Sequence, residues 1–118
     1  MFDAETITTN GRAAFYAALY PSLCKSVAEC GWALGLHGSI HSDLDIMAMP
    51  WTDTATDADT MVEKLINDNL CGNNISRLAF SKDTTSKPNG RVVYTIPIFA
   101  DFYIDLNVIQ RDDSDQTL

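Results

Sequence analysis

The sequence has few cysteines and few basic residues, and both shortages exclude classes of protein. Its three cysteines, Cys24, Cys30 and Cys71, are an odd number without a close pair, so we expect neither a disulfide framework nor a zinc site. Eight lysines and arginines stand against sixteen aspartates and glutamates, which gives a net charge of −8. Broad binding to nucleic acid or to anionic membranes requires a basic face. We therefore expect neither.

Long apolar runs are also lacking. No run approaches the roughly 18 residues that a membrane-spanning helix needs. The first residues, MFDAETITTNGR, carry acids where a signal peptide would carry basic residues and then an apolar block. The sequence therefore predicts a cytoplasmic protein without a membrane partner.

The chain has enough length and apolar content for one ordinary domain. It has 118 residues, of which 46% are hydrophobic, and a chain of this size can bury about two-thirds of its unfolded surface. We expect one domain over residues 1–109. Residues 110–118 are acidic and are expected to form a flexible tail.

The first half of the sequence predicts a helix followed by two strands. Apolar spacing indicates a helix over residues 12–30, with Pro21 breaking or kinking it and Gly31 ending it. The apolar run at 32–37 is consistent with a buried strand. A second strand, DLDIMAM, ends at Pro50.

The second half predicts another helix and two or three more strands. Thr54 or Thr56 is the expected N-cap and Gly72 the expected end of the helix. A short strand over 76–80 and a turn at Asn89-Gly90 precede two alternating strands, RVVYTIPI and FYIDLNVI. The fold class is therefore α+β, a mixed sheet of four to five strands with two or three helices mainly on one face.

Three aspartates on predicted strands are the main candidates for function. Residues two apart on a strand point to the same face, about 6–7 Å apart, so Asp43 and Asp45 project together. Asp105 lies between buried neighbours on a later strand, and adjacent strands would bring all three together. Their mutual repulsion would raise a pKa and cost stability unless a cation were bound. Oxygen ligands favour Mg²⁺ or Mn²⁺.

Residues around the acidic pair suggest a phosphate site. Gly38 lets backbone approach a phosphate closely, and Ser39 can donate its hydroxyl. His37 is either a strand-end residue or a neighbour of the bound phosphate. Arg91 either holds a triphosphate or is a solvated residue at the start of a strand.

The order of these motifs resembles the nucleotidyltransferase superfamily, which includes polymerase-β-like and minimal nucleotidyltransferases. LHGSIHSDLDIMAMPW with the later YIDLNV is similar to small nucleotidyltransferase-like proteins of bacteria and phages, over about residues 20–109. The resemblance implies a phosphate-contacting turn at Gly38 and Ser39. It also implies a metal-binding pair at Asp43 and Asp45, and a third carboxylate, Asp105, that activates the acceptor hydroxyl.

The activity that the resemblance implies is Mg²⁺-dependent transfer of a nucleoside monophosphate from an NTP to a hydroxyl. The setting would be the cytoplasm of a bacterial or phage-infected cell, with the acceptor held by a protein partner or a second copy. In the family a longer segment separates the Gly-Ser pair from the acidic pair, whereas here only residues 40–42 do. Two alternatives follow: a catalytically degenerate fold acting as an acidic protein-binding or inhibitory module of phage origin, or a nucleotide-binding, antitoxin-like regulatory module.

Overall fold

Two helices and five strands make up the part of the chain that the structure, a computed structural model, describes: residues 4–38, 40, 42–70, 81–83, 91–99 and 101–109. In chain order they are α1 (Ala4–Ala28), β1 (Trp32–Leu36), β2 (Leu44–Pro50), α2 (Ala58–Asn69), β3 (Ser81–Asp83), β4 (Val92–Phe99) and β5 (Phe102–Val108). The expected α+β class, with its mixed sheet, is confirmed.

The strands form one sheet in the order β1-β2-β5-β4-β3. The central pair, β2 and β5, is parallel, and the other three pairs are antiparallel. Parallel strands begin at the same edge of a sheet, so residues at the start of β2 lie beside residues at the start of β5. The register aligns Asp45 with Asp105.

Helix α1 is continuous through Pro21, so the predicted break there is wrong, and the helix begins at Ala4 rather than at residue 12. Proline removes the N–H that would bond the carbonyl of Ala17, four residues earlier. Ala17 and Pro21 are both exposed, so water can solvate that carbonyl. On the opposite side, Leu23 and Val27 are fully buried and hold the helix against the sheet.

Gly31 joins α1 to β1 and confirms the predicted end of the helix. Its φ of 84° is left-handed, and an added Cβ would lie 2.8 Å from the Cα of Ala55 and would also collide with Thr52. Its carbonyl accepts hydrogen bonds from the N–H groups of Trp51 (2.8 Å) and Thr52 (3.1 Å). These hydrogen bonds therefore link the start of β1 to the segment after β2.

Helix α2 is capped by Asp57, so the prediction of Thr54 or Thr56 is wrong. The Asp57 carboxylate accepts a 2.8 Å hydrogen bond from the N–H of Thr60. A carboxylate suits this position because it also meets the positive end of the helix dipole. Four predictions lie outside the described residues: the helix end at Gly72, the strand over 76–80, the turn at Asn89-Gly90 and the tail over 110–118.

The described helices and one face of the sheet share a single core. The alternation predicted for the last two strands is confirmed, because Tyr94, Ile96, Ile104 and Leu106 are fully buried. The other fully buried side chains in the described part of the chain are Tyr16, Leu23, Val27, Leu44, Ile46, Ala48, Met61, Val62, Leu65, Ile66 and Val108. The predicted first strand is present as β1, but only its beginning is buried.

Strand β1 lies at one edge of the sheet and is buried only at its beginning. Trp32 is in the core, whereas Leu36 is 56% exposed. The apolar run therefore continues past the end of the core, toward the start of β2, where Asp45 lies. The opposite face of the sheet, which carries Asp45 and Asp105, is only half-buried there.

Candidate metal centre

Asp43, Asp45 and Asp105 form a carboxylate cluster at the start of the two central strands. One oxygen from each lies within 4.8 Å of the others, and all three side chains are half-buried. Asp43 comes directly before β2, while Asp45 and Asp105 are aligned across the parallel pair. The predicted convergence of the three acids is thus confirmed. Such a set of oxygens could bind a divalent cation.

The cluster is electrostatically unfavourable for Asp45. Burial raises the pKa of Asp45, and the negative charge of Asp43 raises it further, although His37 and Arg91 act in the opposite direction. The buried amide of Asn107 donates a 3.2 Å hydrogen bond to Asp45 Oδ1. These groups compensate the charge of Asp45 only in part, and a bound cation would supply the rest.

Helix α1 fixes the backbone on both sides of the cluster. The carbonyl of Ser42, the residue before Asp43, accepts hydrogen bonds from Arg12 Nη1 and from the hydroxyl of Tyr16, each 3.1 Å long. The same hydroxyl accepts a 3.2 Å hydrogen bond from the backbone N–H of Tyr103. One buried phenol therefore holds the segment entering β2 against β5.

Arg12 adds a second tie to the same end of the sheet. Its guanidinium binds the carboxylate of Asp101 at 3.1 Å and lies 4.2 Å from the ring centre of Phe102. Sequence reasoning missed both Arg12 and Tyr16. The only signal for them was their place near the start of a predicted helix, which indicates nothing about the strands they would contact.

Gly38 lies against the cluster. Its φ is 79°, and an added Cβ would lie 3.3 Å from Asp45 Oδ2. The N–H of His37 donates a 2.8 Å hydrogen bond to the carbonyl of Asp45, which extends the β1–β2 pairing up to the cluster. His37 is exposed, and its charge acts on Asp45. Ser39 lies outside the described residues.

Arg91 lies just before β4, on the same face of the sheet as the cluster. Alternation along β4 places it with Thr95, which is paired with Asp105. Its side chain is half-buried, its charge acts on Asp45, and its buried Nε has no hydrogen-bond partner among the described residues. Arg91 is therefore less solvated than a typical residue at the start of a strand.

Tyr103 is a third residue that the sequence did not single out. It shares a face of β5 with Asp105 and is 37% exposed. The charge of Asp43 raises the pKa of Tyr103, followed by burial and by Asp105. Its phenol therefore lies in the field of the cluster. Alternation along β5 predicted this placement but suggested no role.

Comparison with protein-family models, with curated proteins and with solved structures finds no match to this chain. Among the described residues, neither helix combines the length and the apolar character needed to cross a membrane. The geometry and charge of the carboxylate cluster are therefore the features that bear on function.

Proposed function

We propose that this protein is an Mg²⁺- or Mn²⁺-dependent nucleotidyltransferase that moves a nucleoside monophosphate from an NTP to a hydroxyl acceptor. The observation that supports the proposal is the carboxylate cluster, with one oxygen of each aspartate within 4.8 Å of the others. The turn at Gly38 packs against Asp45, so its backbone comes close to the cluster. The resemblance of the motif order to nucleotidyltransferases agrees with this reading.

The residues of the cluster fit a hard divalent cation. Asp43, Asp45 and Asp105 offer only carboxylate oxygens, which Mg²⁺ and Mn²⁺ prefer over nitrogen or sulfur. When bound, the metal supplies positive charge that polarises the acceptor hydroxyl and offsets the charge of the phosphates. Burial and the negative charge of Asp43 raise the pKa of Asp45. A bound cation would offset the repulsion between the two carboxylates, which a solvated surface acid does not experience.

The remaining residues of the site take roles that their positions allow. The acceptor oxygen attacks the α-phosphorus, the bond to pyrophosphate breaks, and Asp105 takes the proton of the acceptor hydroxyl. Gly38 contacts the phosphates through its backbone, and the resemblance implies a second contact from the hydroxyl of Ser39. Arg91, whose charge acts on Asp45, holds a phosphate oxygen through its guanidinium group.

Thermal melting with Mg²⁺ or Mn²⁺ and each NTP in turn tests the proposal. A ligand at about a hundred times its Kd stabilises a protein by about 2.7 kcal/mol. We expect such a gain with metal and at least one NTP. The variant Asp105→Asn leaves the metal-binding pair, Asp43 and Asp45, intact, so it should keep the gain from the nucleotide yet stop transfer of label from α-phosphate-labelled NTP to acceptors in a cell extract. The absence of any gain with every metal and NTP would contradict the proposal.

A second candidate is a catalytically degenerate fold that acts as an acidic protein-binding or inhibitory module. Two observations favour it: only residues 40–42 separate the Gly-Ser pair from Asp43, and the net charge is −8. A protein captured by the wild-type chain and by Asp45→Asn alike, and released by salt, would support this function. Loss of capture in Asp45→Asn would instead link the partner to the metal site.

A further inference from the structure

A shallow apolar groove runs along β1 and β2 beside the carboxylate cluster. We call it the β1–β2 groove. Its volume is about 170 Å³, and it is lined by Ala33, Leu34, Gly35, Leu36, His37, Met47 and Met49. The proposed function uses only His37 of this set. The other lining residues are apolar, so the groove offers an environment very different from the neighbouring aspartates.

The groove and the cluster form one continuous surface. Met47 and Met49 follow Asp45 on the same face of β2, about 6–7 Å and about 13 Å along the strand. His37 belongs to both regions, because it lines the groove and donates its N–H to the carbonyl of Asp45. A ligand with phosphates at the cluster would therefore extend its uncharged end into the groove.

Size and lining indicate what that end should be. Pockets for drug-sized molecules begin at roughly 300 Å³, so a groove of about 170 Å³ accommodates one flat ring system and not a whole nucleotide. Methionine side chains adapt to irregular shapes and make favourable contacts between sulfur and aromatic rings. Met47 and Met49 are thus suitable neighbours for a planar heterocycle.

We propose that the β1–β2 groove binds the base of the nucleotide whose phosphates lie at the carboxylate cluster. The inference rests on the proposed function. It attributes the contacts with the base to Gly35, Met47 and Met49. No motif in the sequence indicated these residues. Phosphate and metal binding remain with the aspartates, Gly38 and Arg91.

A larger side chain at Gly35 would fill the groove. Nothing lies within 4 Å of a Cβ added there, and its φ is not in the left-handed region. Valine is favoured in strands, so Gly35→Val should fold well and place its side chain in the groove. Gly11 in α1 also has open space around an added Cβ. Gly11→Ala is therefore a matched control away from the groove.

The experiment measures binding of Mn²⁺, of tripolyphosphate with Mn²⁺, and of each NTP with Mn²⁺. In the wild type and in Gly11→Ala, one or more NTPs should bind at least tenfold more tightly than tripolyphosphate. In Gly35→Val the affinities for Mn²⁺ and tripolyphosphate should stay unchanged, while the affinity for NTP falls to that of tripolyphosphate. Met49→Ser should also lower NTP affinity, and it replaces Gly35→Val in the experiment if that variant does not fold. Met49 is 39% exposed, so the change should leave the fold intact.

The outcomes separate the two proposals. If the wild type binds NTP no more tightly than tripolyphosphate, or if Gly35→Val and Met49→Ser bind NTP like the wild type, the base-binding groove is wrong and the metal site stands. If the wild type binds neither Mn²⁺ nor tripolyphosphate, the proposed function itself is wrong. Capture of a protein that Gly35→Val abolishes, without any loss of NTP affinity, would assign the groove to a partner and overturn the inference.

Discussion

Two pairs of aspartates, each two residues apart, have opposite electrostatic surroundings in this molecule. Asp57 and Asp59 stand at the start of α2. The hydrogen bond from Thr60 lowers the pKa of Asp57. Hydrogen bonds from the Tyr94 hydroxyl (2.5 Å) and then from Lys82 Nζ (2.9 Å) lower the pKa of Asp59. Folding thus gives this pair donors that favour the charged form.

Asp43 and Asp45 stand at the start of β2, and there burial raises the pKa of Asp45 with a further contribution from Asp43. The third acid, Asp105, has a carboxylate oxygen within 4.8 Å of oxygens of the other two. The comparison distinguishes acids that stabilise the fold, Asp57 and Asp59, from an acid that the fold holds at an electrostatic cost, Asp45. Acids of the second kind are typical of ligand sites.

The largest expected effect comes from removing the charge of Asp45. Saturating Mn²⁺, at about a hundred times its Kd, should raise the Tm of the wild type by about 10 °C. Asp45→Asn should lose this gain, since it breaks the metal-binding pair of Asp43 and Asp45. Its metal-free Tm should exceed that of the wild type because a charge held at a cost is removed. Calorimetry with and without Mn²⁺ measures both changes.

Asp57→Asn is the matched control for that experiment, because asparagine caps a helix about as well as aspartate. It should keep the full gain from Mn²⁺. An equal loss of the metal effect in both variants would show that the ion binds to general negative charge. It would remove the distinction between the two pairs.

A smaller effect on metal binding should follow when the hydrogen bonds between α1 and the backbone beside the cluster are removed. Tyr16→Phe removes a hydrogen-bond donor to Ser42 and the acceptor for the N–H of Tyr103. We expect a loss of about 1–3 kcal/mol in the free energy of unfolding. Mn²⁺ affinity should fall by roughly tenfold, as is usual when residues that orient metal ligands are changed. Denaturant melts and Mn²⁺ titration report the two quantities separately, and unchanged Mn²⁺ affinity would limit Tyr16 to a structural role.

The corresponding change beside Asp57 and Asp59 should affect stability alone. Tyr94→Phe removes the main donor to Asp59 and should cost about 1–2 kcal/mol. The pKa of Asp59, followed by NMR, should rise toward its ordinary value. The gain from Mn²⁺ should remain as in the wild type, and a reduced gain would mean that the two acidic regions are coupled.

The smallest effect concerns the pH dependence of the metal-free protein. The lowered pKa of Asp59 means that its stabilisation is present above the unfolded pKa of about 3.9 and is lost as pH falls toward the folded value. The raised pKa of Asp45 has the opposite sign, so its cost appears as pH rises through the same unfolded value and is complete above the folded one.

Asp59→Asn should therefore lower the Tm at pH 7, and Asp45→Asn should raise it, each by a few degrees because both side chains are partly solvated. Near pH 3 both differences should shrink. Melting curves from pH 3 to 7 check this, and parallel curves for the two variants would contradict the pKa directions on which the comparison depends.

Much of the sheet could be predicted from the sequence because its strands alternate in burial. Alternation placed Ile104 and Leu106 in the core and Asp105 on the other face, and the same rule placed Asp43 and Asp45 together. Alternation alone could not show that β2 and β5 are neighbours. That required the parallel pairing of Asp45 with Asp105, a contact between residues sixty positions apart.

The errors had physical causes that local patterns do not contain. Pro21 stays within α1 because the carbonyl it leaves unbonded faces solvent. Asp57 caps α2 instead of a nearby threonine because its carboxylate reaches the N–H of Thr60. Arg12 and Tyr16 contact strands far along the chain, and no spacing within α1 predicts such contacts.

Crystals grown with Mn²⁺ would test the central claim most directly, through the anomalous scattering of the metal. We predict a peak bonded to oxygens of Asp43, Asp45 and Asp105, and its loss in crystals of Asp45→Asn. If saturating Mn²⁺ gave peaks only at other acids, such as Asp57 and Asp59, the carboxylate cluster would not be a metal site.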